Sequence, residues 1–324
     1  QFNTGVDFAL WRRLTGGIEF FSRKSKDLLF TMPMALSTGF SGIDRNIGDV
    51  KNYGVEATFD IAVFNNDNFK WNMNLNMTHY KNVITSLPQS EMNSGNFKWR
   101  EGHDRYNFWG AKYAGINPDN GNSQFWMNVY DTDENGNKVI VDRILTENVA
   151  DLNTDEQKQY LGSAIPALFG GFTNSFSFYG FDLSVMLYYS IGGLLYDTDY
   201  TQGIYYYRGS SYHADLLTDQ WSPENRNARL PRFNKNTASV FSDQYLFNNS
   251  YLRLRNVTLG YSLPKSLLQK ANIDQVRVFA QGDNLLTFGN AVKRGTDPEQ
   301  SINGVTGNRF PTTKSYTFGV QITF

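Results

Sequence analysis

Apolar and polar side chains alternate along much of the chain, and this period of two predicts β-strands. Between residues 53 and 63 the even positions are small or acidic, whereas the odd positions are mainly apolar. The apolar column of this segment is Tyr53, Val55, Ala57, Phe59, Ile61 and Val63. A strand sends successive side chains to opposite faces, so its two faces meet different surroundings. Residues 69–78 repeat the pattern after the polar run Asn65–Asn68, which predicts a turn and hence a long hairpin.

The alternation returns in the second half of the chain. Residues 170–191 predict another hairpin with its turn at Gly180. In the segment 251–262 the apolar positions change parity, and one extra residue near Arg255–Asn256, a β-bulge, would restore the face. The last strand, from Ser315, places one apolar column on a single face: Tyr316, Phe318, Val320, Ile322 and Phe324.

The first strand and its turn are less clearly marked. Alternate residues of Phe2–Leu10 share one parity and are mostly apolar. The run Leu14–Gly17 contains two glycines and predicts the turn, after which Ile18 begins the return strand.

The predicted connections fall into two length classes. Short ones lie near residues 12–17, 64–68, 180 and 264–274, the last with room for a helical turn. Long ones lie at about 31–50, 85–165, 192–248 and 290–312, and the period is lost from 106 to 165. Short turns at one end and long extracellular loops at the other are typical of outer-membrane barrels, here with roughly nine to eleven wall strands.

The apolar columns favour a membrane barrel over a soluble β-sandwich. Four segments carry no charged side chain on that column: 53–63, 69–77, 181–191 and 316–324. Their opposite columns are rich in Asn, Ser, Thr and Gly, as the wall of a wet lumen would be. Each reaches the roughly 9–11 residues that a transmembrane strand needs. A soluble β-rich binding module stays open as an alternative, because alternation alone fits both classes.

Composition narrows the choice further. The chain has 324 residues, a formal net charge of −1, 15% aromatic residues and no cysteine. A balanced charge gives no reason to expect nucleic-acid binding, which needs a basic surface. The absence of cysteine excludes disulfides and thiolate metal sites. No run of about 18 apolar residues predicts a transmembrane helix.

Several segments along the chain form an ordered set of motifs. Those nearest the C-terminus read SYLRLRNVTLGYSLPKSLL, VRVFAQGDNLLTF, GTDPE and SYTFGVQITF. Upstream segments agree in the same order, among them IGDVKNYGVEATFD, WNMNLNMTHYKN, YAGINPDNG and PALFGGFTNSFSFYGFDLS. In this order the segments resemble the SusC-like TonB-dependent outer-membrane transporters, and the resemblance extends over nearly the whole chain.

The resemblance implies an all-β fold, a 22-stranded antiparallel transmembrane barrel filled by a plug domain. It implies that residues 1–324 form about the C-terminal half of that barrel, with the plug absent from this chain. It further implies energised import of glycans or oligopeptides across the outer membrane of a Gram-negative, Bacteroidetes-type bacterium. The implied partners are the remaining N-terminal barrel and plug, a SusD-like lipoprotein, TonB through the missing part, the barrel-assembly machinery, and lipid with lipopolysaccharide.

An enzyme is the main competing class, as a self-contained outer-membrane barrel of about ten strands; a small porin is a related alternative. A barrel enzyme would need a His–carboxylate or Ser–His set near one rim. The three histidines, His79, His103 and His213, are far apart in sequence and lack metal-ligand spacing. The sequence therefore favours a protein that is not an enzyme.

Three groups of residues are candidates for specific roles. The apolar column from Tyr316 to Phe324 resembles the signal read by the barrel-assembly machinery. The alternative is an ordinary strand that happens to end in Phe. The second group is a loop cluster of four aromatic residues and one arginine: Tyr205, Tyr206, Tyr207, Arg208 and Trp221. Its alternative roles are contact with substrate, contact with a partner protein, and packing in the core of the loop.

The third group matches a calcium-binding loop, and otherwise no cofactor is expected. Its acidic and amide residues are Asp131, Asp133, Asn135 and Asp142. Asp142 occupies the twelfth position of the loop, where Glu is usual. The alternative is a β-turn at Asn135–Gly136 between two strand-like flanks.

Overall fold

The computed structural model describes residues 1–34, 36–40, 42–46, 48–205, 211–233, 240–268, 273–299, 302–307 and 309–324. Its strands are β1 Phe2–Leu10, β2 Leu14–Ser25, β3 Leu29–Pro33, β4 Gly42–Asn46, β5 Asp49–Asn65, β6 Phe69–Ser86, β7 Glu91–Ser94, β8 Phe97–Arg100, β9 Asn107–Gly110, β10 Lys112–Ile116, β11 Ser123–Thr132, β12 Lys138–Thr146, β13 Gln159–Ser163, β14 Pro166–Phe178, β15 Phe181–Gly192, β16 Leu194–Tyr196, β17 Leu246–Asn248, β18 Tyr251–Ser262, β19 Gln275–Gly289 and β20 Ser315–Thr323.

Short helices punctuate the connections. The α-helices are α1 Thr198–Ile204, α2 Asp215–Thr218, α3 Lys265–Leu268 and α4 Asn290–Lys293. Single 3₁₀ turns cover Leu36–Thr38, Val149–Leu152, Asp155–Gln157 and Asp243–Tyr245. Among the described residues no helix combines the length and apolar character needed to cross a membrane. The helical turn predicted between residues 264 and 274 is present as α3.

Nine strands form one antiparallel sheet, which we call the wall, in the order β1-β2-β5-β6-β14-β15-β18-β19-β20. Each pair of neighbours along the wall is also consecutive among the wall strands of the chain, as in an up-and-down barrel. Within the described residues, β1 pairs only with β2 and β20 only with β19. The first and last wall strands therefore do not pair with each other, and the strand count lies at the lower end of the prediction.

The two faces of the wall differ as the columns predicted. The apolar face carries large side chains that nothing in the described structure covers, for example Val6 at 69% exposure and Phe318 at 79%. Further exposed members of this face are Ile18, Phe20, Val55, Phe64, Phe181, Ile191, Leu252, Leu259, Val278 and Phe288. The polar face carries charged and amide groups, and long connections fold over part of it. The wall is thus part of a barrel with its apolar face outward.

A row of aromatic rings follows the end of the wall at which the short turns lie. Phe64 and Phe69 lie 5.6 Å apart between ring centroids, and Phe181 lies 5.5 Å from Phe178 and 4.6 Å from Tyr261. These rings continue the apolar columns of five adjacent strands, β5, β6, β14, β15 and β18. Such a belt is typical of the level at which a barrel meets lipid headgroups.

The predicted turn at Leu14–Gly17 is wrong, since these residues lie inside β2. The chain reverses at Trp11–Arg13 instead, with Trp11 and Arg12 in the left-handed region at φ 52° and 55°. The two glycines serve close packing: a Cβ on Gly16 would lie 2.4 Å from the Thr58 carbonyl oxygen and 2.9 Å from the Phe8 ring. Glycine in a strand often marks such a close approach rather than a turn.

Two β-bulges determine which residues of β18 and β5 lie on the apolar face of the wall. The bulge predicted near Arg255 is confirmed, because Leu254 pairs with Leu187 and Asn256 with Met186, which leaves Arg255 as the extra residue. Val63 was wrongly assigned to the apolar column. A second register shift lies between Ala62 and Phe64, so Phe64 takes the column position opposite Trp71.

The long connections build a second region, the loop layer, which we define as residues 87–165, 193–250 and 290–314. It contains a three-stranded sheet, β10-β11-β12, a four-stranded sheet, β13-β9-β8-β7, and the pair β16-β17. These strands account for the segment in which the sequence period was lost. One buried cluster contains Tyr200, Ile204, Leu230 and Tyr245, and another contains Ala111, Phe125 and Leu152.

Candidate functional site

The wall and the loop layer meet at a cluster of charged side chains on the polar face. Arg253 of β18 is 2% exposed. Its Nη2 donates to Asp297 Oδ1 at 2.5 Å and its Nη1 donates to Glu299 Oε2 at 2.9 Å. Both carboxylates belong to the connection between β19 and β20. A buried guanidinium needs such partners, because an unpaired charge in this position is strongly destabilising.

The β-bulge adds a second arginine to the same cluster. Arg255 is the extra residue of β18, and its Nη1 donates to Glu299 Oε2 at 2.7 Å. Without the bulge, strand alternation would place one of the segment's columns on the wrong face. Unlike Arg253, the Arg255 side chain is 43% exposed. The two arginines therefore share one carboxylate but differ in their access to solvent.

Asp297 is held in its charged form. Burial alone would raise its pKa, but the backbone N–H groups of Glu299 and Thr312 and the Arg253 guanidinium outweigh burial and lower the pKa below the ordinary value. The Thr312 N–H donates to Asp297 Oδ2 at 2.8 Å and the Glu299 N–H donates to Oδ1 at 3.0 Å. Asp297 thus joins Glu299 and Thr312, two distant points of the connection between β19 and β20, to Arg253 of the wall.

Asp197 joins two parts of the loop layer in a similar way. It is fully buried and caps α1 by accepting from the Tyr200 N–H at 3.0 Å. Its other oxygen accepts from Thr296 Oγ1 at 2.8 Å and from Arg294 Nε at 3.3 Å. The connection 290–314 is therefore tied to the wall through Asp297 and to the connection 193–250 through Asp197.

A concavity of about 570 Å³ lies beside the charged cluster, between the polar face of the wall and the loop layer. Its lining includes aromatic residues from four neighbouring strands and two members of the cluster: Tyr80, Phe169, Tyr188, Tyr251, Arg255 and Glu299. The Tyr251 hydroxyl donates to Glu299 Oε1 at 3.1 Å, so the cluster and the aromatic lining are connected. This arrangement can bind a polar ligand with a flat apolar part.

The sequence did not predict the charged cluster as a site. The segments RLRN and GTDPE were noticed only for their resemblance to a family. A signal was present, since two arginines near the polar column of one strand and two carboxylates in a later loop form a complementary set. Their contacts span 44 to 46 residues, so only the fold pairs them.

The predicted loop cluster is only partly described, because Tyr206, Tyr207 and Arg208 lie outside the described residues. Tyr205 packs against the buried cluster of Tyr200 and Ile204. Trp221 lies elsewhere in the loop layer, where its Nε1 donates to the Pro118 carbonyl at 3.1 Å. The structure places these two aromatic side chains in separate loop packings, and contact with substrate or partner stays a prediction.

The predicted calcium ligands form a hairpin. Asp133 lies in the turn and accepts from the backbone N–H groups of Asn135 and Asn137 at 2.9 and 2.8 Å. Asp142 lies in β12 opposite Val129, away from the turn. Within the described residues no group of three His, Cys, Asp or Glu side chains could hold a metal ion. The geometry favours the β-turn alternative for these residues.

The terminal column lies on the uncovered face of the edge strand β20. Its members are all exposed: Tyr316, Phe318, Val320, Ile322 and Phe324. Val320 and Ile322 pair with Val278 and Val276 of β19, so the column continues the apolar face of the wall. The assembly role of this column stays a prediction.

The three histidines lie in three separate places. His79 Nδ1 lies 2.6 Å from the Ala167 carbonyl on the wall, and the His103 ring stacks on Tyr160 with centroids 4.1 Å apart. His213 contacts backbone groups through both ring nitrogens: Nδ1 with the Asp215 N–H and Nε2 with the Arg294 carbonyl. Each has a packing or hydrogen-bonding role in the fold.

Comparison with known proteins gives a consistent result, although no family model matches the chain. The chain is 27% identical over its whole length to TonB-dependent receptor P3 of Formosa agariphila, and covers 34% of that protein. It is 26% identical over 99% of its length to TonB-dependent receptor SusC of Bacteroides thetaiotaomicron, and covers 31% of it.

Solved structures agree. The RagAB peptide importer in its closed-closed state matches 99% of the chain with a TM-score of 0.82 at 27% identity, and 35% of that protein is covered. Its open-open state matches with a TM-score of 0.78 at 26% identity. The similarity to SusC-like TonB-dependent receptors is thereby confirmed, together with the fold of a partial barrel. The chain spans about a third of the length of the curated relatives it matches.

Proposed function

We propose that this chain supplies part of the barrel wall and outer loops of an energised, TonB-dependent outer-membrane importer. The observation that carries the proposal is the division of the nine-stranded wall into an uncovered apolar face and a polar face that meets the loop layer. A bilayer favours the first face and a wet lumen the second. Similarity to receptors named TonB-dependent supports energised uptake over passive diffusion.

In this proposal the chain acts as a static wall. Its two edge strands, β1 and β20, would pair with the remaining N-terminal part of the barrel, because lipid does not tolerate unpaired backbone groups. A plug in that other part would gate the lumen and transmit the action of TonB. The proposed location is the outer membrane of a Bacteroidetes-type bacterium, where the apolar face contacts lipid and lipopolysaccharide.

The cargo and the partners follow the same reasoning. We propose oligopeptides as the first candidate cargo, since the similar solved structures are of a peptide importer, and glycans as the second. A SusD-like surface lipoprotein would meet the loop layer. The column Tyr316–Phe324 would be read by the barrel-assembly machinery during insertion. The role is transport and not catalysis, in line with relatives named as receptors and importers.

Deleting the gene in the source bacterium tests the proposal. We expect uptake of fluorescent oligopeptides or glycans to fall, and to fall equally when TonB is removed from the wild type. Uptake that needs the gene but continues without TonB would contradict the proposal and favour a porin. Release of the protein into the soluble fraction would favour a β-rich binding module, and cargo cleavage by the purified protein would favour a barrel enzyme.

A further inference from the structure

The concavity between wall and loop layer lies in the middle of the wall. Its floor comes from β6, β14, β15 and β18, which are adjacent in the sheet and separated from both edges by other strands. The site geometry therefore does not depend on which strands complete the barrel. Its side nearest the loops includes Pro298, Glu299 and Ile302, and Glu299 is held by Arg253 and Arg255.

Two aromatic pairs form the apolar part of this concavity. Tyr80 and Phe169 meet edge to face with ring centroids 6.1 Å apart. Tyr188 and Tyr251 lie 5.9 Å apart. Tyrosine and phenylalanine rings provide rigid, flat contact area at a low cost in conformational entropy. They can pack against the backbone of an extended oligomer or against a sugar ring.

The two arginines of the charged cluster have different capacities to bind a ligand. Arg253 is buried and contacts two carboxylates, Asp297 and Glu299. Arg255 is 43% exposed, lines the concavity and contacts Glu299 through Nη1. A guanidinium carries five N–H donors in a planar fork that matches a carboxylate. Arg255 is therefore the member of the cluster that can accept a further anionic group.

The carboxylates beside Arg255 limit the negative charge that a bound ligand group can carry. Arg253 and Arg255 are matched by Asp297 and Glu299, so the cluster as a whole has no net formal charge. A doubly charged phosphate would be repelled by Glu299, which already contacts Arg255 at 2.7 Å. A singly charged, planar carboxylate fits the fork with less repulsion.

We propose that the concavity binds a carboxylate of an oligomeric ligand through Arg255, with an adjoining unit of the ligand packed on Tyr188 and Tyr80. The proposal rests on the importer function, and it makes acidic oligomers the preferred cargo. The carboxylate has two sources: the C-terminus or an acidic side chain of a peptide, or a uronic acid of a glycan. The ligand chemistry is the same in both.

Binding to the intact purified transporter tests the proposal, with isothermal titration of four probes. These are a glutamate-containing hexapeptide, its glutamine and C-terminal amide analogue, an oligogalacturonate and a neutral galacto-oligosaccharide. We expect Arg255→Gln to weaken binding of an acidic probe by about tenfold or more and to leave its neutral analogue unchanged. The acidic probe that responds identifies the source of the carboxylate.

Three further variants make the result interpretable. Arg255→Lys keeps the charge without the fork and should bind acidic probes with intermediate affinity. Arg12→Gln removes an exposed arginine at the opposite end of the wall and should bind all probes as the wild type does. Tyr188→Ala should weaken acidic and neutral probes together, because it removes packing and no charge.

Two results would overturn the proposal. One is an equal effect of Arg255→Gln on acidic and neutral probes in a transporter that still migrates as a folded barrel. The other is binding of neutral probes with no binding of either acidic probe. Failure of the importer function is recognised separately, as unchanged uptake of every cargo after gene deletion.

Discussion

The wall and the loop layer use apolar residues in opposite ways. In the wall, large apolar side chains such as Val320, at 64% exposure, lie on an uncovered face. In the loop layer, Phe108, Leu152 and Leu195 are fully buried, and Tyr245 is 4% exposed. A protein surrounded by water alone rarely exposes a contiguous apolar face of this extent. The difference indicates two solvents, lipid against the wall and water against the loops.

The two regions are also held together differently. The wall depends on continuous backbone pairing and on close contacts at glycines such as Gly170. The loop layer depends on buried carboxylates, above all Asp297 and Asp197, which join segments distant in sequence. Changes to charge should therefore act on the loop layer, and changes to shape or to lipid contact should act on the wall.

The largest effect is expected from Asp297→Ala. It leaves the buried Arg253 guanidinium with one carboxylate fewer, and loss of a partner in such a pair costs about 3–5 kcal/mol. Hydrogen exchange of the intact protein should show faster exchange in 290–299 and 251–256, with β5 and β6 unchanged. Asp119→Ala is the matched control, because the Asp119 side chain is 85% exposed. Unchanged exchange in 290–299 would show that the cluster does not anchor the loop layer.

A lysine on the apolar face should have the next largest effect. Leu75 lies midway along the apolar column of β6 and pairs with Phe59 and Phe172. Leu75→Lys should lower the free energy of unfolding in bilayers by roughly 2–4 kcal/mol. Asn72→Lys, on the polar face of the same strand, should change it little. Equal effects in a denaturant titration would contradict the assignment of lipid and lumen to the two faces.

Two neighbouring glycines test packing within the wall. A Cβ on Gly170 would lie 2.0 Å from the Asn76 carbonyl oxygen and 2.8 Å from the Tyr189 hydroxyl. Gly170→Ala should therefore destabilise the barrel by about 1–3 kcal/mol, as overpacking does. A Cβ on Gly171 meets the Asn76 side chain at 3.1 Å, and that side chain can move, so Gly171→Ala should cost less. The same titration compares the two, and a larger loss for Gly171→Ala would refute this packing.

Acid should affect the loop layer before the wall. The pKa of Asp297 in the folded protein lies below its ordinary value of 3.8, because hydrogen bonds and Arg253 outweigh burial. Its stabilising contribution is complete above that ordinary value and is lost as the pH falls through the lower, folded-state pKa. Near-UV circular dichroism should therefore stay constant from pH 7 to about pH 5 and change below about pH 4. A change centred near pH 6 would mean that another group controls the loop layer.

The wall could be predicted from the sequence because its signal is local. Alternation in segments such as 69–78 needs no knowledge of partners, and the parity slip located the bulge at Arg255. The turn at Leu14–Gly17 was wrong because paired glycines have two physical causes, reversal of the chain and close packing against Thr58. The register shift at Val63 was missed since both Val63 and Phe64 are apolar.

The loop layer could not be predicted to the same degree. Its strands are short, and its stability comes from pairs such as Arg253 with Asp297, which lie 44 residues apart. Spacing alone did not show whether one segment forms a calcium-binding loop or a β-hairpin. Its residues are Asp131, Asp133, Asn135 and Asp142. Strand pairing placed Asp142 opposite Val129. A candidate binding site made by such contacts is visible only once the fold is known.

Single-cysteine spin labels along Phe69–Thr78 of β6 test the central claim most directly, since this chain contains no cysteine of its own. In the intact protein in bilayers, labels at Phe69, Trp71, Met73, Leu75 and Met77 should be accessible to oxygen dissolved in lipid. Labels at the even positions between them should be accessible to a water-soluble nickel reagent. Accessibility to the nickel reagent at all positions, or the absence of a period of two, would contradict a lipid-facing wall.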